Sequence, residues 1–169
     1  YSRLLSFEPR TGALLDTLTL PDPGDARSSV TFVPAREGSA AGTAYFTTKG
    51  GYFYAVAVDA DGRFGKLRAV RLSNGADDPK KPAMSTCTPT IYNGRAYIGV
   101  SGTSQFGAYS GHNLTVIDLA TMSVAYFVPT QGYPQTSGIL TTAYGDNDGT
   151  VYVYFFDNFT PGKLRVLCD

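Results

Sequence analysis

The chain offers one histidine, His112, as a neutral-pH acid, base or imidazole ligand, in the setting Tyr109-Ser110-Gly111-His112-Asn113. One imidazole cannot build a two-histidine metal site. Ser104, Ser110 and Asp118 lie nearby in sequence, but nothing around them forms the strand-to-helix elbow that presents a nucleophile. His112 therefore reads as an ordinary loop histidine, with an acid–base role as the alternative. The acidic stretch Asp146-Asn147-Asp148-Gly149-Thr150 begins like a calcium loop, which uses carboxylates at alternate positions and a bidentate Glu at position twelve. Its twelfth residue is Asp157, and residues 151–156 read as a strand. Two readings stand: a hairpin turn rich in residues that tolerate left-handed geometry, or a calcium ion held by Asp146, Asp148 and a backbone carbonyl. Asp59-Ala60-Asp61-Gly62 is a weaker version of the same pattern.

The segment 102–112 is longer than any other hairpin connection in the chain and carries aromatic and polar groups. Binding residues concentrate on such loops. Phe106 and Tyr109 suit stacking on a ring or a sugar face, with Gln105 and His112 supplying hydrogen bonds. A merely tolerated extension is the alternative. Tyr133-Pro134-Gln135 reads as a connector that lines an end face of the fold. Cys87 and Cys168 are too far apart in sequence to suggest a metal-ligand pair; two small buried thiols are expected, with a disulfide as the other possibility. Asn113-Leu114-Thr115 and Asn158-Phe159-Thr160 fit the glycosylation tripeptide, which arises often by chance.

Fourteen Lys and Arg balance fourteen Asp and Glu, and no basic cluster stands out, so a nucleic-acid partner is not expected. No run approaches the eighteen apolar residues of a membrane-spanning helix. The chain starts at Tyr1 inside a strand-like run and stops just after another, as a section cut from a longer polypeptide would.

The elements that must position these residues are strands. Twelve Tyr and ten Phe, with many Thr and Val, suit a pleated half-buried surface, while nineteen Gly and ten Pro supply turns. Long apolar runs of helical period are missing, so almost no helix is expected. Strands are predicted at 1–7, 13–20, 29–34, 43–48, 52–58, 66–72, 87–92, 95–101, 113–119, 123–129, 138–144, 150–156 and 163–168. Asn93-Gly94 and Lys49-Gly50-Gly51 mark tight hairpins. The segments Thr43-Ala44-Tyr45-Phe46-Thr47, Arg95-Ala96-Tyr97-Ile98-Gly99 and Thr150-Val151-Tyr152-Val153-Tyr154 repeat one pattern, with their tyrosines 52 and then 55 residues apart. A period of that size built from strands alone signifies β-propeller blades.

The predicted fold is all-β, made of antiparallel four-stranded propeller blades. One partial domain, 1–169, divides into a blade remnant (1–20), two full blades (29–72 and 85–130) and a partial blade (136–169). Thirteen strands make about three blades' worth, too few to close a ring.

Leu4-Leu5-Ser6-Phe7-Glu8-Pro9-Arg10-Thr11-Gly12, Leu114-Thr115-Val116-Ile117-Asp118-Leu119-Ala120-Thr121-Met122 and Pro89-Thr90-Ile91-Tyr92-Asn93-Gly94-Arg95-Ala96-Tyr97 resemble repeats of the quinoprotein (PQQ-like) β-propeller superfamily. The resemblance implies a third strand ending in an acid that accepts bonds from turn amides, a flexible turn at Gly12, and a tyrosine packed between blades. The family's docking tryptophan is missing, with Tyr126 as its nearest stand-in and Asp16 in that place in the first unit. Missing too are the adjacent cysteines that quinone-dependent alcohol dehydrogenases stack on their cofactor. The resemblance thus implies the fold without the quinone cofactor.

The expected function is a non-catalytic binding or scaffold module of an exported or cell-surface bacterial protein, extracellular or, in a Gram-negative cell, periplasmic. It would present propeller loops to a protein or carbohydrate partner, with no cofactor beyond a possible calcium ion. Self-association through open strand edges is also expected. The alternative is a fragment of a quinoprotein-like oxidoreductase or of a polysaccharide-acting propeller enzyme.

Overall fold

The computed structural model describes residues 2–22, 24–73, 83–102, 111–143 and 149–169. Among them are thirteen strands: β1 (Arg3–Phe7), β2 (Leu14–Thr19), β3 (Thr31–Pro34), β4 (Gly42–Thr47), β5 (Tyr52–Val58), β6 (Phe64–Arg71), β7 (Thr90–Tyr92), β8 (Arg95–Val100), β9 (Asn113–Asp118), β10 (Ser123–Pro129), β11 (Ile139–Thr141), β12 (Tyr152–Asp157) and β13 (Lys163–Cys168). They form four antiparallel meanders: sheet I (β1–β2), sheet II (β3–β6), sheet III (β7–β10) and sheet IV (β11–β13). No helix occurs among the described residues, and hence none long and apolar enough to cross a membrane. The array is an unclosed all-β propeller.

Each inner sheet buries both faces, and the period of two along the strands decides which side chain goes where. In sheet II, Tyr45, Phe53, Ala55 and Val70 turn towards sheet III and meet Ala96, Ile98 and Ile117. Their neighbours Ala44, Phe46, Tyr54 and Val56 turn the other way, onto Leu4, Leu18 and Leu20 of sheet I and its connector. In sheet III, Tyr97 and Val116 turn towards sheet IV and pack with Val151, Val153, Leu140 and Leu167. A fully buried side chain such as Phe53 contributes about 2–3 kcal/mol through the apolar surface it removes from water.

The turns behave as their residues dictate. Asn93 and Gly94 both have positive φ, as a type I′ hairpin requires. At the connection from third to fourth strand an acid gathers the turn amides: Glu8 accepts from the amides of Arg10 and Thr11, Asp59 from those of Asp61 and Arg63, and Asp118 from that of Thr121. Asp59 therefore serves its own turn. The Thr11 hydroxyl, with the Arg10 amide, holds the Glu8 carboxyl below the usual carboxylate range, and the Thr121 amide and hydroxyl do the same for Asp118.

Several strands are shorter than the sequence suggests, most of all β7, which starts at Thr90, and β11, which ends at Thr141. Residues 85–88 form a connector whose backbone is held by side chains: Thr47 Oγ1 donates to Cys87 O at 2.9 Å, and Ser85 Oγ donates to Gly99 O at 2.7 Å. Both cysteines are free thiols. Cys87 is buried as expected, and burial pushes its thiol pKa up. Cys168 is exposed, contrary to expectation, because it lies on the last strand of sheet IV.

Close approach of the connector to sheet IV fixes Gly99. A Cβ at Gly99 would fall far inside van der Waals contact of Pro134 O, in the connector to sheet IV. At Gly65 an added Cβ meets Ala57 Cβ at an ordinary 3.4 Å. Gly99→Ala is expected to cost about 2–4 kcal/mol, in the range of overpacked cores, and Gly65→Ala less than about 0.5 kcal/mol. Equal midpoints for the two variants in urea unfolding would refute this account of the packing.

Candidate functional site

One end of the array carries the connectors between sheets and the hairpins between second and third strands. There a cavity of about 190 Å³ is lined by Arg27, Lys49, Met84, Thr86, Tyr133, Gln135 and Asn158. Arg27, the Met84–Thr86 pair and the Tyr133–Gln135 pair lie on three successive connectors, whereas Lys49 and Asn158 lie in hairpins of sheets II and IV. The cavity thus exists because three sheets converge, and no single blade contains it.

Buried carboxylates set the connectors in place. Asp22, 5% exposed, accepts from Gly24 N at 2.5 Å, Thr48 Oγ1 at 3.0 Å and Tyr54 Oη at 2.7 Å. It ties the connector from sheet I to the hairpin bearing Lys49, where Lys49 N also donates to Asp25 O at 2.9 Å. Asp157 does the same in sheet IV. It accepts from Gln131 N at 3.2 Å, from Gly132 N, and from Arg165 through both Nε (2.8 Å) and an Nη (2.7 Å). Two-point pairing with a guanidinium stabilises a carboxylate that has no exposed side-chain surface. Tyr133 fixes the middle of the site: its hydroxyl accepts from Thr86 N at 2.6 Å and bonds Thr86 Oγ1 at 3.1 Å.

His112 stands beside this site rather than in a solvated loop. It is 2% exposed, its ring stacks on that of Tyr133 with centroids 6.4 Å apart, and Nδ1 accepts from Gly102 N at 2.7 Å. In this position the imidazole closes the base of the 102–112 segment. Asn113, next to it, spends its side chain on Ser73 O, Gly111 O and Thr115 Oγ1. Gln105, Phe106 and Tyr109 lie outside the described residues, as do Asp146 and Asp148. The structure does bring His112 together with Tyr133, the connector residue expected at the end face.

The opposite end holds a shallower cavity of about 130 Å³, lined by Tyr92, Asn93, Arg95, Tyr97, Gly149, Val151 and Asp169. Asp169 accepts from Tyr97 Oη and Tyr126 Oη, both at 2.6 Å, and pairs with Arg95 Nε at 3.2 Å. The Arg95 guanidinium lies 5.8 Å from the Tyr126 ring centroid, within cation–π range. Burial opposes ionisation of Asp169, but the two phenols and Arg95 prevail and lower its pKa. Burial, reinforced by the bonds to Asp169, raises both phenol pKa values. Tyr126 thus docks through a polar clamp.

Sequence reasoning missed Arg27, Lys49, Met84, Thr86 and Asn158. Their common signal is position: each precedes the first strand of a blade or sits in a hairpin between second and third strands. Among the described residues no group of three or more His, Cys, Asp or Glu is placed to hold a metal.

Neither a protein-family model nor a curated protein matches this sequence. Solved structures do match in fold. The chain is similar to BamB from Moraxella catarrhalis (17% identity, TM-score 0.53), with 99% of this chain covering 46% of that one. It is similar to the Dos1 propeller (13% identity, TM-score 0.59), 99% of it covering 42% of that chain. It also resembles the quinohemoprotein alcohol dehydrogenase from Comamonas testosteroni (16% identity, TM-score 0.55), 92% of it covering 26% of that chain. The chain therefore shares the β-propeller fold of these structures and spans less than half the length of each.

The Asp169 clamp gives a signed pH dependence. Because its folded pKa is depressed, its contribution is complete above the unfolded value of about 3.9 and disappears as pH falls through the folded value. Asp169→Asn is expected to lose about 1–2 kcal/mol at pH 7 and progressively less towards about pH 2. Urea unfolding at both pH values checks this; a deficit that stays constant contradicts it.

Proposed function

We propose that this chain is a non-catalytic propeller section that binds a partner, by preference a protein, through the connector end around Tyr133. The observation that supports this most is how the polar groups there are used. Among the described residues every buried side-chain nitrogen and oxygen has a hydrogen-bond partner, and Asp22, Asp157 and Tyr133 hold connectors in position. Catalysis needs convergent polar groups aimed at a reacting atom. Here the unburied groups, Arg27, Lys49, Gln135 and Asn158, instead rim an open cavity. Rims of this type suit recognition of a partner's surface.

The segment 102–112 belongs to the same reading, with Gln105, Phe106 and Tyr109 as further contacts and His112 as the residue that seats the loop. A carbohydrate is the second class of partner, taken by stacking on Phe106 and Tyr109. An exported or cell-surface setting, extracellular or periplasmic, is supported by fold analogy only. The described residues do not fit a quinone cofactor. Tyr133 turns its ring to His112 rather than offering an open stacking face, and the Cys87 thiol is engaged with the carbonyls of Thr88 and Thr136. Calcium at Asp146 and Asp148 is retained as a proposal for the loop joining β11 to β12.

Photo-crosslinking residues placed at Gln135 and Asn158 are expected to capture a common partner in the native cell, while the same residue at Thr11, in the exposed turn of sheet I, does not. Equal capture from all three positions, or from Thr11 alone, would remove the assignment of this end. For the metal, calcium is expected to raise the melting temperature of the wild type but not of Asp146→Asn/Asp148→Asn, by the usual linkage of binding to stability. The same calcium response in both proteins eliminates the site.

A further inference from the structure

Two cations of β6 border a cavity and meet no anion among the described residues. Alternation puts Lys66, Arg68 and Val70 on the side of sheet II that turns towards sheet III, and Leu67 and Arg71 on the other. Val70 enters the shared core, whereas Lys66 and Arg68 flank a cavity of about 250 Å³ together with Thr43, Ala55 and Ala57. Small side chains make its floor: Arg68 pairs across the sheet with Ala55, and Thr43 with Ala57. The cavity is larger than the one of about 190 Å³ at the connector end, and it belongs to an inner sheet with a described sheet on each side. Among the described residues no hydrogen bond or ion pair engages the Lys66 ammonium or the Arg68 guanidinium. Arg68 is half-buried. A guanidinium that gives up hydration ordinarily recovers it from a carboxylate.

The repeat indicates which anion is missing. Tyr45–Ala55–Arg68 in sheet II and Tyr97–Val116–Tyr126 in sheet III are matching rows, each running through direct pairs across the second, third and fourth strands. The row in sheet III ends on a carboxylate of sheet IV, since Asp169 accepts from Tyr97 Oη and Tyr126 Oη and pairs with Arg95. Asp169 exchanges backbone bonds with Val151, and the pair in that place in sheet III is Ile117 with Ala96. Where sheet IV turns an aspartate towards sheet III, sheet III turns the fully buried Ile117 towards sheet II. The row in sheet II therefore ends in a cation with no carboxylate opposite. Nearby acids are already engaged, Asp59 by the amides of Asp61 and Arg63 and Asp118 by Thr121.

We infer that this cavity binds a carboxylate from outside the chain. The Arg68 guanidinium takes its two oxygens, since the planar fork matches that geometry, and Lys66 adds a second positive charge two residues away on the same side of β6. Ala55 and Ala57 leave the room, and Thr43 offers a hydroxyl. The ligand is a small free carboxylate or an acidic side chain presented by a partner; the chemistry of capture is the same. Thr43 near the start of β4, Ala57 near the end of β5 and Lys66 near the start of β6 put the site at the end of the array away from the connectors. It does not depend on what the connector end binds.

The test is a titration of the protein with succinate, hexaglutamate or inorganic phosphate at constant ionic strength, followed by the backbone amide resonances of β5 and β6. Succinate is expected to shift those resonances saturably. Arg68→Gln is expected to weaken its binding by about tenfold or more, and Lys66→Gln to weaken it less. Arg71→Gln removes the same charge from the other side of β6 and is expected to leave binding unchanged. Ala57→Leu, at an exposed position, removes no charge and is expected to weaken binding by filling the cavity. Should Arg68→Gln lose its fold, Lys66→Gln and Ala57→Leu carry the same test. Hexaglutamate binding more tightly than succinate identifies an acidic segment of a partner as the source, and equal affinity identifies a free small carboxylate. Absence of a saturable shift, or equal losses in Arg71→Gln and Arg68→Gln, overturns the inference. Unchanged binding in Ala57→Leu overturns the cavity as the place, and phosphate binding more tightly than succinate overturns the choice of carboxylate.

Discussion

Every sheet between two others must satisfy two neighbours at once, and a strand can do so only by alternating its side chains between them. Tyr45 and Phe46 are adjacent in sequence, yet one belongs to the core shared with sheet III and the other to the core shared with sheet I. A slip of one residue would exchange the two sets and disrupt both cores. The strand register therefore governs the whole array, and the turns maintain it. Acid-capped connections at Glu8, Asp59 and Asp118 and the type I′ pair at Asn93 and Gly94 leave little freedom in where the next strand begins.

The same packing explains why polar clamps accumulate between sheets rather than within them. Where a connector crosses from one blade to the next, its amides cannot join a ladder, so side chains satisfy them. Asp22, Asp157 and the Tyr133 hydroxyl do this at one end, and Asp169 joins Tyr97, Tyr126 and Arg95 at the other. In this chain Tyr126 joins sheets III and IV through its bond to the Asp169 carboxylate. The connectors and hairpins so held place the exposed Gln135 and Asn158 around one cavity.

Much of the architecture is legible in the sequence. Tyrosine spacing, the Asn93-Gly94 dipeptide and the alternation along each segment identified the thirteen strands and their division into two, four, four and three. Segments 87–89 and 142–143 have residue types that suit a strand, but side chains engage their amides, as at Cys87 and Ala143. The site was less legible. Tyr133 and Gln135 could be placed at an end face from their position between units, but Arg27, Lys49 and Asn158 are marked only by their place in a connector or hairpin. They meet only because connectors and hairpins more than twenty residues apart in sequence converge.

The sequence by itself determined the class of fold, the strand order and the position of each hairpin, because these depend on period-two alternation and turn chemistry within a few residues. The tertiary structure alone decided which alternating face is covered and by what. It placed His112 against Tyr133, took Asp157 into a pairing with Arg165, and left Cys168 exposed beside Val166 and Leu164. Burial is a property of the neighbouring sheet, and a strand's own residues specify only that some neighbour is required.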